Sequence, residues 1–164
     1  IVGALNKLPS LQVMLAFFGD DRADYWRELS EQAEQMGLAS VVVYLGTKRP
    51  VEPWMAACNL ILAPATRDGF GRALIEAMSL KVPVVAAGAG GHLEVIEHGK
   101  TGFLYEPGDI SGAASAIEKA LTLEQKNQSL ISAGIDEAER YNEAEHTTTV
   151  ESLYWPMIQR KRTQ

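Results

Sequence analysis

Apolar residues in this chain fall into short runs that alternate with stretches of helical spacing, and that alternation predicts a β/α fold. Residues 11–18 form a largely apolar run ended by Gly19-Asp20-Asp21, which reads as a strand and its stop. The aspartates can cap a following helix whose apolar positions, Trp26, Leu29, Ala33 and Met36, recur at helical spacing until Gly37 ends it. Residues 41–45 are the next strand, broken by Gly46, and a short helix is expected after Pro50. Residues 60–63 then read as a strand, 72–80 as a helix, 82–87 as a strand, 93–98 as a short helix and 102–105 as a strand. These strands are apolar on both faces, as strands covered by helices on both sides must be. The pattern implies a doubly wound, Rossmann-like parallel sheet.

The last third changes character. Asp109 opens a helix with Ala113, Ala116, Ile117, Ala120 and Leu121 on one face, and a second helix runs through Leu130, Ile131 and Ile135. A final helix, within 142–160, carries Val150, Leu153, Tyr154, Met157 and Ile158, and Pro156 should kink it. No repeat, low-complexity tract or linker divides the chain, so residues 1–164 read as one domain. The sequence begins at Ile1 without an initiator Met and is expected to be a piece of something longer.

Composition narrows the partners. The 46% hydrophobic and 22% charged fractions are those of an ordinary globular domain. Fifteen Lys and Arg against twenty-one Asp and Glu leave a net charge of −6. Such a surface repels nucleic acid and anionic lipid, so any anionic ligand must be met by a local feature. The single cysteine, Cys58, lies in an apolar stretch and is expected to be buried and inert. His92, His98 and His146 show no ligand spacing, and no metal site is expected. No apolar run approaches the ~20 residues of a membrane span.

In open parallel sheets, ligands bind outside the carboxyl ends of strands. The loop 64–72 follows the third strand and holds Arg67, Asp68, Gly69, Phe70, Gly71 and Arg72. Two readings stand on these residues alone: a glycine-softened turn capped by Asp68, or a diphosphate cradle built on free amides at a helix start. Glu76 favours the cradle. Arg72, Glu76 and Ser79 form a polar stripe on a helix whose other faces carry Ala73, Leu74, Ala77 and Met78. An Arg72–Glu76 pair alone would contribute only ~0.3 kcal/mol, in the weaker orientation. A carboxylate one turn into a cradle helix can instead accept hydrogen bonds from the vicinal hydroxyls of a ribose. A second cluster, Gly88-Ala89-Gly90-Gly91, begins like a dinucleotide fingerprint, but Leu93 stands where a third glycine belongs. It fits better as a second backbone wall against the same ligand.

Taken in order, these motifs resemble a known family. Leu62-Ala63-Pro64, Asp68-Gly69-Phe70-Gly71 and Leu74-Ile75-Glu76-Ala77-Met78 are similar to the donor-site motif of the retaining, family-four "group one" glycosyltransferases. So are Val82-Pro83-Val84-Val85-Ala86, Gly90-Gly91, Glu94-Val95-Ile96, Gly99-Lys100-Thr101-Gly102-Phe103-Leu104 and Pro107-Gly108-Asp109. The likeness runs from residue 11 to the terminal helices. It implies the C-terminal, donor-binding half of a two-domain GT-B enzyme, with a nucleoside diphosphate sugar as donor substrate and no further cofactor.

What the resemblance implies for single residues is specific. The family's paired acids, with seven residues between them, fall on Asp68 and Glu76: the first meets the transferred sugar and is the candidate catalytic residue, the second meets the ribose. Gly69, Phe70 and Gly71 would hold the diphosphate, with Arg72 and Leu74 beside them and Gly90 and Gly91 opposite. The loop at Gly46-Thr47 would meet the base, largely through backbone atoms. The terminal helix would cross back to an N-terminal acceptor domain, which is absent from this chain. Three departures stand out: Asp68 where Glu is usual, Leu93 where Pro is common, and a start after the family's basic pair that neutralises the leaving diphosphate.

The implied reaction transfers the sugar to an acceptor hydroxyl with retention, needs no divalent metal, and would not proceed on this chain alone. The setting expected is cytoplasmic, with any membrane attachment peripheral and through the absent domain. Other readings stay open: a nucleotide-sugar hydrolase or epimerase, a non-catalytic sugar-nucleotide or docking module, and an NAD-dependent enzyme.

Overall fold

The computed structural model describes residues 1–20, 25–67, 69–122, 124–141 and 152, without the side chains of 124–127. Among the described residues the elements run α1 (Val2–Leu5), β1 (Leu15–Phe17), α2 (Tyr25–Gln35), β2 (Val42–Tyr44), α3 (Glu52–Ala56), β3 (Ile61–Ala63), α4 (Arg72–Ser79), β4 (Val84–Ala87), α5 (His92–Val95), β5 (Phe103–Tyr105), α6 (Ile110–Thr122) and α7 (Glu124–Glu139). The alternation read from the sequence holds throughout. The terminal helix expected within 142–160, with its Pro156 kink, lies outside the described residues.

All strand pairs are parallel. β1 pairs with β2, placing Leu15 opposite Val42 and Phe17 opposite Tyr44. β4 lies between β3 and β5, with Val84 opposite Ile61 and Val85 opposite Phe103. The one expected sheet therefore forms two hydrogen-bonded groups. The strands are shorter than their apolar runs. In the first run pairing begins only where the Leu15 amide donates to Val41, and Met14 just before it is 70% exposed.

The alternating side chains of β4 divide the core between two layers of helices. Val84 and Ala86 pack with Leu74, Ala77 and Met78 of α4, Met55 of α3 and Ala138 of α7. Val85, on the opposite face, packs with Ala113, Ala116, Ile117 and Ala120 of α6, Phe103 of β5 and Leu130 of α7. Helices thus cover both faces of the three-stranded group, which is the doubly wound arrangement. A third, smaller cluster joins Val2, Ala33 and Val42, with Leu15, Phe17 and Trp26 against it.

Two local outcomes differ from the sequence reading. The short helix after the second glycine cluster spans His92–Val95 rather than 93–98, because Ile96 turns to extended backbone and the chain heads for the Thr101–Gly102 turn. Helix α4 is closed by Lys81 at φ +65, with the Lys81 amide on Met78 and the Val82 amide on Ala77. That is a Schellman closure in which lysine takes the place usually given to glycine.

Ile117 is 1% exposed at the centre of the α6 layer, so truncating it leaves a cavity that its neighbours fill only in part. Ile117→Ala should cost ~2–5 kcal/mol. A thermal melt should show Tm falling by roughly 5–15 °C.

Candidate functional site

Among the described residues, the loops that leave the carboxyl ends of the strands carry Gly46, Thr47, Gly69, Phe70, Gly71, Gly90 and Gly91, and α4 carries Arg72, Leu74 and Glu76. The loop after β3 runs exposed from Pro64 to Arg67 and again over Gly69 and Phe70, then turns at a buried Gly71 into α4. Gly71 is the helix N-cap, at φ +71 and ψ +37. A side chain there would be strained and would meet His92 Cδ2 at 3.1 Å. The cap has no side chain of its own, and its carbonyl accepts from the Leu74 amide at 2.9 Å. The positive end of the α4 dipole and the start of its first turn therefore lie at Gly71, directly after Gly69 and Phe70 in the chain. Asp68, the expected sugar-binding acid and alternative cap, lies outside the described residues.

The second glycine cluster stands directly against this loop. A Cβ on Gly91 would fall 2.5 Å from Phe70 Cα, 2.6 Å from the Gly69 carbonyl oxygen and 2.8 Å from the Phe70 nitrogen. All three are backbone atoms, so only glycine allows the approach. Gly90, one residue earlier, is exposed at φ +55. Two loops more than twenty residues apart in sequence thus form one backbone-lined wall beside the start of α4.

Glu76 sits one turn into α4, half-buried, with Oε1 3.5 Å from Arg72 Nη2. The side chains are 41% and 83% exposed, so the pair is solvent-screened and contributes little. Its carboxylate is open to exchange Arg72 for another partner. Ser79 continues the stripe but turns its hydroxyl back on the Glu76 carbonyl at 2.8 Å. Leu74 is 0% exposed, its side chain belongs to the α4 core, and its amide donates to the Gly71 carbonyl. Its side chain therefore lies beneath the start of the helix rather than on its polar stripe.

Gly46 and Thr47 lie apart from that wall, at the carboxyl ends of β1 and β2. The Gly19 amide donates to the Gly46 carbonyl at 3.2 Å, while the Tyr44 and Thr47 hydroxyls both donate to the Gly19 carbonyl, at 2.7 and 3.2 Å. Next to this knot, Lys48 Nζ stands 4.5 Å over the Trp54 ring, and Phe18 meets the same ring edge-on. Helix α3 links the two regions, presenting Trp54 outward while Met55 enters the core beside α4.

Two residues that sequence reasoning passed over belong to the wall. His92 is fully buried, and its Nδ1 lies 2.8 Å from the Ala87 carbonyl. A carbonyl can only accept, so Nδ1 carries the proton and the ring is fixed under Gly71. A lone histidine after two glycines gave no spacing signal. Tyr141 meets the Phe70 ring at 5.2 Å, and nothing local in the sequence relates a residue past α7 to the loop. Cys58 is half-buried rather than buried, and desolvation raises its thiol pKa, which keeps it a thiol. Among the described residues, no three His, Cys, Asp or Glu side chains are grouped to hold a metal, and no helix is long and apolar enough to cross a membrane.

Comparisons with known proteins show the family and the fold. The family described as "Glycosyl transferases group 1" matches residues 1–137. The crystal structure of Anabaena Alr3699/HepE in complex with UDP-glucose superposes with a TM-score of 0.82 at 34% identity, over 93% of this chain and 43% of that one. Sulfoquinovosyl transferase SQD2 of Arabidopsis thaliana is 30% identical over 151 residues, covering 89% of this chain and 28% of that protein. The C-terminal domain of LpcC, a group 1 protein from Francisella tularensis, shares the fold with a TM-score of 0.74 at 20% identity, and this chain covers 76% of it. The chain spans less than half the length of HepE and of SQD2. It belongs to the group 1 glycosyl transferases, and within them it has the fold of the C-terminal GT-B domain.

Proposed function

We propose that this chain is the donor-binding domain of a retaining glycosyltransferase and that it holds a UDP-sugar between its two glycine loops. The observation that carries the reading is the backbone contact of Gly91 with Gly69 and Phe70 at the start of α4. It makes a narrow wall of main-chain groups where an oxyanion can meet amides and a helix N-terminus. HepE, 34% identical over 93% of this chain, has been crystallised with UDP and with UDP-glucose, which supports uridine as the base and a hexose as the sugar.

Each residue then has a task. The diphosphate lies against Gly69, Phe70 and Gly71, where the α4 dipole offsets its charge despite the chain's net −6. Glu76 releases Arg72 and accepts hydrogen bonds from the ribose hydroxyls. Arg72, freed and exposed, turns toward the phosphates. Gly90 and Gly91 form the opposite wall, and Gly46 and Thr47 meet the base. Asp68 is assigned to the transferred sugar by its place in the motif. When the anomeric C–O bond breaks, negative charge grows on the β-phosphate, and the fixed amides of the α4 start stabilise it without reorganising. The acceptor substrate, held by an N-terminal domain outside this chain, supplies the hydroxyl oxygen that bonds to the anomeric carbon and gives its proton to the leaving diphosphate, and basic residues of that domain neutralise the remaining charge. Joined to it, the domain transfers the sugar with retention; alone, it binds donor without turnover.

Calorimetric titration with UDP, UDP-glucose, GDP and ADP tests this reading. Binding is expected for the uridine compounds, and silence with all four would return the chain to a docking role. Saturating UDP at a hundred times its dissociation constant should stabilise the fold by ~2.7 kcal/mol in a thermal-shift assay.

Glu76→Ala removes hydrogen bonds to a charged acceptor, each worth ~1.5–3 kcal/mol, and should weaken UDP binding roughly tenfold to a hundredfold. The melting temperature of the free protein should barely move, since only an exposed ion pair is lost. Unfolding of that variant would instead make Glu76 structural. Gly91→Ala should push the two loops apart and cost ~1–3 kcal/mol of stability. Unchanged UDP affinity in a folded Gly91→Ala protein would remove the wall from the site.

A further inference from the structure

We propose that Tyr141 is a positioning residue for the donor loop, acting through Phe70 to set where the Gly69–Gly71 backbone lies. The proposal rests on reading that backbone as the diphosphate cradle.

Phe70 can serve a phosphate loop only through its backbone. Its ring has no charge or donor to offer an anion, and it is 38% exposed. Its backbone is fixed on one side: the Phe70 nitrogen and Cα are pressed against Gly91, too close for any Cβ between them. Its ring is met by Tyr141, edge to face, with centroids 5.2 Å apart and planes at 78°. This is the favourable geometry for an aromatic pair. The loop is therefore held at one residue by two elements from different parts of the chain.

Tyr141 is itself anchored. Its amide donates to the Ala138 carbonyl at 3.1 Å, which continues the last turn of α7. Its ring lies against the α4 core cluster that includes Met78, Val95 and Ala138. Its hydroxyl donates to the Glu94 carbonyl of α5 at 3.3 Å. That distance is long for an O–H···O bond, so the ring contact carries most of the effect. Burial and the neighbouring Glu137 carboxylate raise the phenol pKa, so the hydroxyl keeps its proton. Tyr141 thus joins the three elements that border the cradle: the loop before α4, helix α5 after the second glycine pair, and the end of α7. The diphosphate is assigned to the backbone of Gly69–Gly71, whereas Tyr141 meets the Phe70 ring, so its role is indirect.

The test is a double-mutant cycle on this chain, read by UDP titration calorimetry and thermal melts. Tyr141→Ala should weaken UDP binding by roughly fivefold to tenfold, the scale of one lost aromatic pair. Tyr141→Phe keeps the ring and should stay within about twofold of the parent. Phe70→Ala should match Tyr141→Ala, and the double variant should lose little more than either alone, because both remove one interaction. A structural role is separated by Leu130→Ala, which truncates a 5%-exposed core residue on the same helix. That variant should lower Tm without changing UDP affinity. If Tyr141→Ala fails to fold, Tyr141→Leu fills the volume without the aromatic edge and should show the same loss.

Unchanged affinity in Tyr141→Ala, or losses that simply add in the double variant, would overturn the positioning role while leaving the cradle standing. A parent chain that binds no UDP would overturn the cradle and this role with it.

Discussion

The site depends on how closely two backbones approach. Gly91 lies so near Gly69 and Phe70 that a single methyl group would fall 2.5 Å from a backbone carbon. No rotamer change relieves such a clash, because the atoms on the far side are main chain. The contact fixes the loop after β3 to the loop after β4 and lines the space between them with peptide groups. A pyrophosphate needs donors close together and pointing inward, and main-chain amides provide them without long side chains to immobilise.

This explains how an acidic chain can be built to receive an anion. The net charge of −6 works against any phosphate at long range. Close to α4, the aligned peptide dipoles act over a few ångströms, inside the distance at which salt screens the rest of the surface. Arg72 adds a mobile cation at the same helix start, held at 3.5 Å by Glu76 in a pair weak enough to separate. An ion pair of little structural worth suits the proposed site, where Glu76 would turn to the ribose and Arg72 to the phosphates.

The core beneath is arranged for rigidity at that point. All four residues of β4 are buried, the strand is covered by α4 on one face and α6 on the other, and it delivers the second glycine pair from its carboxyl end. His92, fixed through Nδ1 to Ala87 at the end of the same strand, lies under Gly71 and supports the helix cap. The two walls of the cradle are thus tied to the best-packed strand of the domain. Pre-organisation of this kind lets binding energy go to the ligand rather than to ordering the loop.

The order of the strands and helices was legible in the sequence, because apolar period and glycine punctuation are local properties that burial only confirms. So was the family, since its motifs are runs of contiguous residues such as Gly69-Phe70-Gly71 and Leu74-Ile75-Glu76. Strand lengths and the division into two hydrogen-bonded groups depend on which partner each run finds, and no run contains that information. Tertiary structure alone placed Gly91 against Phe70, His92 under Gly71 and Tyr141 beside the loop. Those contacts join residues from about twenty to seventy positions apart, and only the packing of α4, α5 and α7 around β4 brings them together.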